Sequence, residues 1–129
     1  MSLYVLSAKP SFVDMVRAAL KTDQVKSFAT TSDLLAELLD SNRAKSELII
    51  IELSSAPDAH RLIDFVKASG PLHQVPLVAV GTEEELRTVE AGGLLLLDAT
   101  VRAPCQAMDL AAVTAKLREQ RDREDTERS

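Results

Sequence analysis

Tryptophan is absent from this chain, and aromatic residues make up only 3% of its 129 positions. So few rings argue against a surface that stacks nucleobases, and they leave the core to Leu, Val, Ile and Ala. A single cysteine, Cys105, rules out an intramolecular disulfide and fits a reducing compartment, so a cytoplasmic setting is expected. Cys105 reads as a small packing residue rather than a redox sensor. Positive charge is short as well. The net charge is −5 and no basic stripe appears, so no direct contact with nucleic acid or with an anionic membrane is expected. No apolar run approaches the roughly 18 residues of a membrane span. Met1–Leu6 passes straight into a strand-like segment without the pattern of a signal peptide. His60 and His73 stand apart with no cysteine nearby, so they read as surface residues rather than metal ligands. Gly92-Gly93 lacks the strand–loop–helix setting and the following Lys of a phosphate loop. There is no internal repeat.

What is present suits one domain. Hydrophobic residues are 46% of the chain, enough for a core at this length. Leu3–Leu6 is a short apolar run. Pro10 and Ser11 then open a helix whose apolar face is Phe12, Met15, Val16, Ala19 and Leu20. Val25–Ala29 is a second strand candidate, and Ser32 is a candidate N-cap for a helix carrying Leu34, Leu35, Leu38 and Leu39. The run Leu48-Ile49-Ile50-Ile51 is continuous and β-branched, as expected of a strand buried on both faces of a parallel sheet. A loop over Ser54–Asp58 leads to a helix over His60–Ala68, stopped by Gly70-Pro71. Val75–Val80 is the next buried strand, and Thr82 with Glu83, Glu84 and Glu85 forms a hydroxyl-capped, dipole-matched helix start. Two readings follow for the fifth strand. Either Gly92-Gly93 ends that helix and the strand is Leu94–Leu97, or the helix continues and the strand is Asp98–Val101. A last helix after Pro104 carries Met108, Leu110, Ala111, Val113 and Leu117, and residues 119–129 form a charged helix end or linker.

Regular β-α alternation with buried strands predicts an α/β domain: a doubly wound parallel sheet of five strands in the order 2-1-3-4-5, covered by helices on both faces. The working site of such a sheet lies at the C-terminal strand ends. Here those are Ser7-Ala8-Lys9, Glu52-Leu53, Gly81-Thr82 and the stretch before Pro104.

Residues 3–118 resemble the receiver domain of two-component response regulators. Glu47-Leu48-Ile49-Ile50-Ile51-Glu52-Leu53 is similar to the family's acid, apolar run, Asp-Leu third strand. Val75–Val80 is similar to its fourth strand, Glu90-Ala91-Gly92 to an Ala-Gly step, and Arg102-Ala103-Pro104 sits where a Lys-Pro pair is expected. The resemblance implies a flavodoxin-like, receiver-like (βα)5 fold and a phosphoryl pocket. That pocket needs an acidic pair and a nucleophilic Asp around Mg²⁺, a hydroxyl after strand four and a Lys after strand five, because phosphoryl transfer runs on positioning and charge neutralisation. The sequence departs at each place. The acidic pair falls on Ser7 and Ala8, and the phosphoacceptor on Glu52. The hydroxyl falls on Gly81, with Thr82 adjacent. The Lys falls on Ala103 or, if Ala91-Gly92 sets the alignment, on Ala99. The aromatic switch position falls on Thr100 or Leu96.

The resemblance therefore implies a degenerate pseudo-receiver with no enzymatic activity, no bound metal and no cofactor. It would act in bacterial signalling through a protein partner or a second copy of itself, by a face around Leu86, Val89 and Met108. Its charged tail suggests a covalently linked output domain. Two alternatives stay open: a receiver still phosphorylated in a phosphorelay through an atypical residue, and a small-ligand-binding flavodoxin-like domain. Glu52 has its own pair of readings, a mimic of phospho-Asp or a tolerated acid at a strand end.

Overall fold

A computed structural model of the chain describes residues 3–21, 25–41, 48–55, 58–68, 76–91, 99–103 and 106–128. The elements alternate from first to last: β1 (Leu3–Leu6), α1 (Pro10–Leu20), β2 (Val25–Phe28), α2 (Thr31–Ser41), β3 (Leu48–Glu52), a 3-10 turn (Leu53–Ser55), α3 (Ala59–Ala68), β4 (Leu77–Gly81), α4 (Glu83–Ala91), β5 (Ala99–Arg102) and α5 (Ala107–Arg128). The strands form one parallel sheet in the order β2-β1-β3-β4-β5, as the alternation predicts.

The continuous apolar strands are explained by the two faces of this sheet. Successive side chains point to opposite faces. On one face Tyr4, Leu6, Ile49, Ile51, Leu77 and Ala79 meet α2 and α3 through Leu34, Leu38, Leu62, Ile63 and Val66. On the other, Leu3, Val5, Leu48, Ile50, Val78 and Val80 meet α1 and α5 through Phe12, Val13, Val16 and Leu110. All residues of β1, β3 and β4 are buried, whereas the edge strand β2 exposes Lys26 and Ser27. With few rings in the chain, the one aromatic pair sits where β1 meets that edge: Tyr4 packs edge-on against Phe28, centroids 5.5 Å apart. Burial, and next the negative charge of Glu37, push the Tyr4 phenol above its ordinary pKa.

Local chemistry fixes the helix ends. Pro10 opens α1 at a position where its missing N–H is not needed. Lys21, in the left-handed region at φ 48°, closes it. The cap of α2 is Thr30 rather than Ser32: the Asp33 N–H donates to Thr30 Oγ1 at 3.2 Å, and the helix begins at Thr31. A capping box opens α4, with the Glu85 N–H donating to Thr82 Oγ1 at 3.2 Å and the Thr82 N–H to Glu85 Oε1 at 2.9 Å. The strand of the second reading is observed, shifted by one residue to Ala99–Arg102, while α4 is described to Ala91. Leu94–Leu97 and Gly92-Gly93 lie outside the described residues, as do His73 and Cys105. The segment read as a loop from Ser54 begins instead inside the 3-10 turn. The charged tail continues α5 to Arg128, roughly 16 Å beyond Leu117 at helical rise.

Ile50, fully buried on the central strand, and Met108, 69% exposed, mark the extremes of this packing. Ile50→Ala is expected to lower unfolding stability by about 2–5 kcal/mol, and Met108→Ala by no more than about 0.5 kcal/mol, in urea denaturation.

Candidate functional site

Parallel strands deliver their C-terminal ends to one side of the sheet, and there the departures from a phosphoryl pocket come together. Glu52 ends β3 in a position only 8% exposed. A carboxylate so placed must find donors or lose its charge. It finds them in two hydroxyls: Ser7, just past β1, donates to Glu52 Oε1 at 2.9 Å, and Ser55, at the end of the 3-10 turn, donates to the same oxygen at 2.6 Å. Each serine is itself fixed by a backbone donor. The Lys9 N–H donates to Ser7 Oγ at 3.0 Å and the Ala8 N–H to Ser55 Oγ at 3.0 Å. The other carboxylate oxygen, Oε2, faces the Lys9 ammonium at 3.9 Å, and that ammonium also donates to Ser54 Oγ at 3.3 Å. Lys9 is largely solvent-exposed, so this pair adds only about 0–1 kcal/mol, and the hydroxyl bonds carry the arrangement.

The remaining positions are apolar or small. Gly81 ends β4 with no room for a side chain: a Cβ there would lie 2.8 Å from Leu53 Cδ1, 3.1 Å from Leu53 Cβ and 3.2 Å from Glu85 Cβ. Ala103 follows β5 and donates its N–H to the Gly81 carbonyl at 2.7 Å, which places Ala103 rather than Ala99 at this end of the sheet. Thr82 is exposed, with its hydroxyl engaged in the α4 cap. Thr100 is exposed on β5. Between these ends lies an open cleft of about 440 Å³, lined by the charged Lys9, Glu52 and Glu85, by the hydroxyl residues Ser11, Ser54 and Thr82, and by Phe12, Met15, Val80, Gly81 and Ala103. Ser7, Glu52, Gly81, Thr82 and Ala103 are thus brought to one place, with Ala8 on the exposed lip. Ser55 and Lys9 complete the carboxylate's surroundings; Lys9 belongs to the strand end Ser7-Ala8-Lys9 read from the sequence, and Ser55 was not singled out there.

Of the expected interaction face, two side chains are described. Met108 projects from the first turn of α5. Leu86 is partly buried and packs against the core beneath α2 and α3. Val89 lies on α4, but its side chain is outside the described residues.

No family model matches this chain, and no curated protein matches it by sequence. Solved structures do. The chemotaxis response regulator CheY4 of Vibrio cholerae superposes with a TM-score of 0.70 at 17% identity, over 89% of this chain and 96% of that one. The signal receiver domain of a signal transduction histidine kinase from Syntrophus aciditrophicus gives 0.73 at 16% identity, over 90% and 88%. NtrX from Brucella abortus gives 0.75 at 19% identity, over 100% of this chain but 30% of its own. The fold is that of a response-regulator receiver domain. Within the receiver fold, Mg²⁺ requires carboxylate oxygens open to the pocket. The donors here do not fit it. Glu52 is the one carboxylate at the end of β3, its Oε1 takes two hydroxyl bonds and its Oε2 faces an ammonium. No group of three or more His, Cys, Asp or Glu residues suited to a metal occurs among the described residues.

Gly81→Ala is expected to cost about 1–3 kcal/mol through overpacking against Leu53. Leu53→Ala is expected to relieve part of that cost, so thermal or urea unfolding of the double variant should show a favourable coupling of about 0.5 kcal/mol or more.

Proposed function

We propose that this chain is a non-catalytic pseudo-receiver, a regulatory interaction module in bacterial signal transduction. One observation carries the proposal: the carboxylate at the phosphoacceptor position already holds the Ser7 and Ser55 hydroxyls on Oε1, with the Lys9 ammonium 3.9 Å from Oε2. An acyl phosphate needs a free carboxylate as nucleophile and fixed positive charge around the phosphoryl oxygens. Here the nucleophile's partners would have to be broken first. On the far side, Gly81 and Ala103 offer neither hydroxyl nor ammonium. The same partners tell against Glu52 as a mimic of phospho-Asp. Its negative charge is spent on the β1 loop and the turn after β3, not on the β4 and β5 ends.

What remains for signalling is surface. Met108 stands out on α5 as the large apolar side chain most exposed among the described residues. On α4, the Glu83 carboxylate meets Arg87 at 2.9 Å and Arg102 at 4.0 Å. An exposed apolar anchor and paired surface charges suit a protein partner, either a second copy or a separate chain. The match to NtrX over only part of that longer chain supports a covalently linked output domain as well, with residues 119–129 as the connecting charged helix. The composition suits work in the cytoplasm, and no helix among the described residues is long and apolar enough to cross a membrane.

Incubation with acetyl phosphate and Mg²⁺, followed by intact-mass measurement, is expected to leave the chain unmodified. A gain of one phosphoryl group, lost in Glu52→Gln, would establish the atypical-phosphoacceptor reading instead. Sedimentation at tens of micromolar is expected to show self-association that Met108→Glu weakens. A monomer throughout restricts the partner to a different protein.

A further inference from the structure

The substitutions that remove phosphoryl chemistry also change what the pocket is made of. Where a receiver carries charged or hydroxyl side chains at the β4 and β5 ends, this chain has Gly81 and Ala103, and the wall between them is Val80, Phe12 and Met15. The resulting cleft, about 440 Å³, lies within the range of about 300–1,000 Å³ typical of small-molecule sites, which pair apolar walls with a few placed polar groups.

The charges on its rim do not balance. Lys9, Glu52 and Glu85 line the cleft, two acids against one base. Lys9 is set against Glu52 at 3.9 Å. Glu85 uses Oε1 to cap Thr82 at 2.9 Å, and no cation among the described residues pairs with it. The N–H donors of Thr82 and Glu85 at the start of α4 are already taken by the capping box, so neither is open to an anion.

We propose that the cleft binds a small organic cation with an apolar body: an ammonium seated by the Glu85 carboxylate and a hydrocarbon or aryl group against Phe12, Met15, Val80 and Ala103. The proposal deepens the pseudo-receiver reading and rests on it, since a pocket still doing phosphoryl chemistry would have to admit phosphate here. An aryl ring beside Phe12 adds an edge-on aromatic contact, and the ammonium gains from partial exclusion of water in the cleft. Occupancy would link α1, β4 and the start of α4, so a soluble amine could bias the surfaces of the domain in place of a phosphoryl group.

The test is an amide chemical-shift titration of the full chain with phenethylamine and, separately, with 3-phenylpropionate, an anion of similar shape, at constant ionic strength. Saturable shifts centred on Phe12, Val80, Gly81 and Ala103 are expected with the amine and not with the anion. Glu85→Gln keeps the cap, since a Gln oxygen accepts the same bond, and is expected to weaken amine binding about tenfold. Ala103→Lys, which places an ammonium in the cleft, is expected to abolish it. No saturable shift with the amine, equal binding of the anion, or unchanged affinity in Glu85→Gln would each overturn the proposal. The same sample treated with acetyl phosphate separates the two levels. A phosphoryl adduct overturns the pseudo-receiver reading itself, whereas absent amine binding without an adduct overturns only the ligand.

Discussion

A carboxylate at the end of a strand buried on both faces is the constraint around which this end of the molecule is organised. β3 packs against β1 and β4 and is covered by helices above and below, so Glu52 emerges where water reaches little of it. Leaving such a charge unpaired would cost several kcal/mol. Ser7 comes from the neighbouring strand, held in register by the pairing of Leu6 with Ile51. Ser55 comes from the 3-10 turn that follows at once. The two hydroxyls converge on one oxygen; the Lys9 N–H fixes Ser7 within the loop after β1, and the Ala8 N–H to Ser55 ties that loop to the turn after β3. Each of the two hydroxyls donates one bond and accepts another, the kind of satisfaction under which a buried polar cluster rigidifies its surroundings rather than weakening them.

That closure has a consequence for the opposite side of the cleft. With Glu52 held toward β1, nothing at the β4 and β5 ends has to answer its charge, and small residues are tolerated there. Leu53 turns into the space beside Gly81, within 2.8 Å of where a Cβ would stand. A side chain at that position requires Leu53 to move, so the glycine and the packing of the turn are one feature.

How much of this was legible in the sequence follows from which interactions are local. The order of strands, the burial of Leu48–Ile51 and Leu77–Val80 on both faces, and the helix starts at Pro10 and Thr82 rest on periodicity and on residue types next to each other in the chain, and these were readable. The fifth strand was left open between two segments because Leu94–Leu97 has the stronger apolar signal, while Ala99–Arg102 is an edge strand whose alternation of partly buried, exposed and buried residues carries little hydrophobicity. The cap of α2 falls on Thr30 rather than Ser32, since four hydroxyl or acidic residues in a row, Thr30 to Asp33, give the pattern no unique choice. Glu52, Ser7, Gly81 and Ala103 were reached through the receiver resemblance. Ser55 and Lys9 were not. Their role depends on a tight turn that folds the chain back beneath the strand end and on a loop approaching from 45 residues away, as the separation of Lys9 and Ser54 shows.

The same distinction bears on the two readings of Glu52. From sequence alone, an acid one methylene longer than Asp is equally a mimic of the phosphorylated state or an inert replacement. A mimic has to present its charge where phosphoryl oxygens would be read, toward the residues after β4 and β5. Glu52 instead accepts its hydrogen bonds from Ser7, past β1, and Ser55, in the turn after β3. The readers are missing as well, since Gly81 and Ala103 have no group to pull toward it. On this geometry Glu52 is tied to the loop after β1 and the turn after β3 rather than to the β4 and β5 ends.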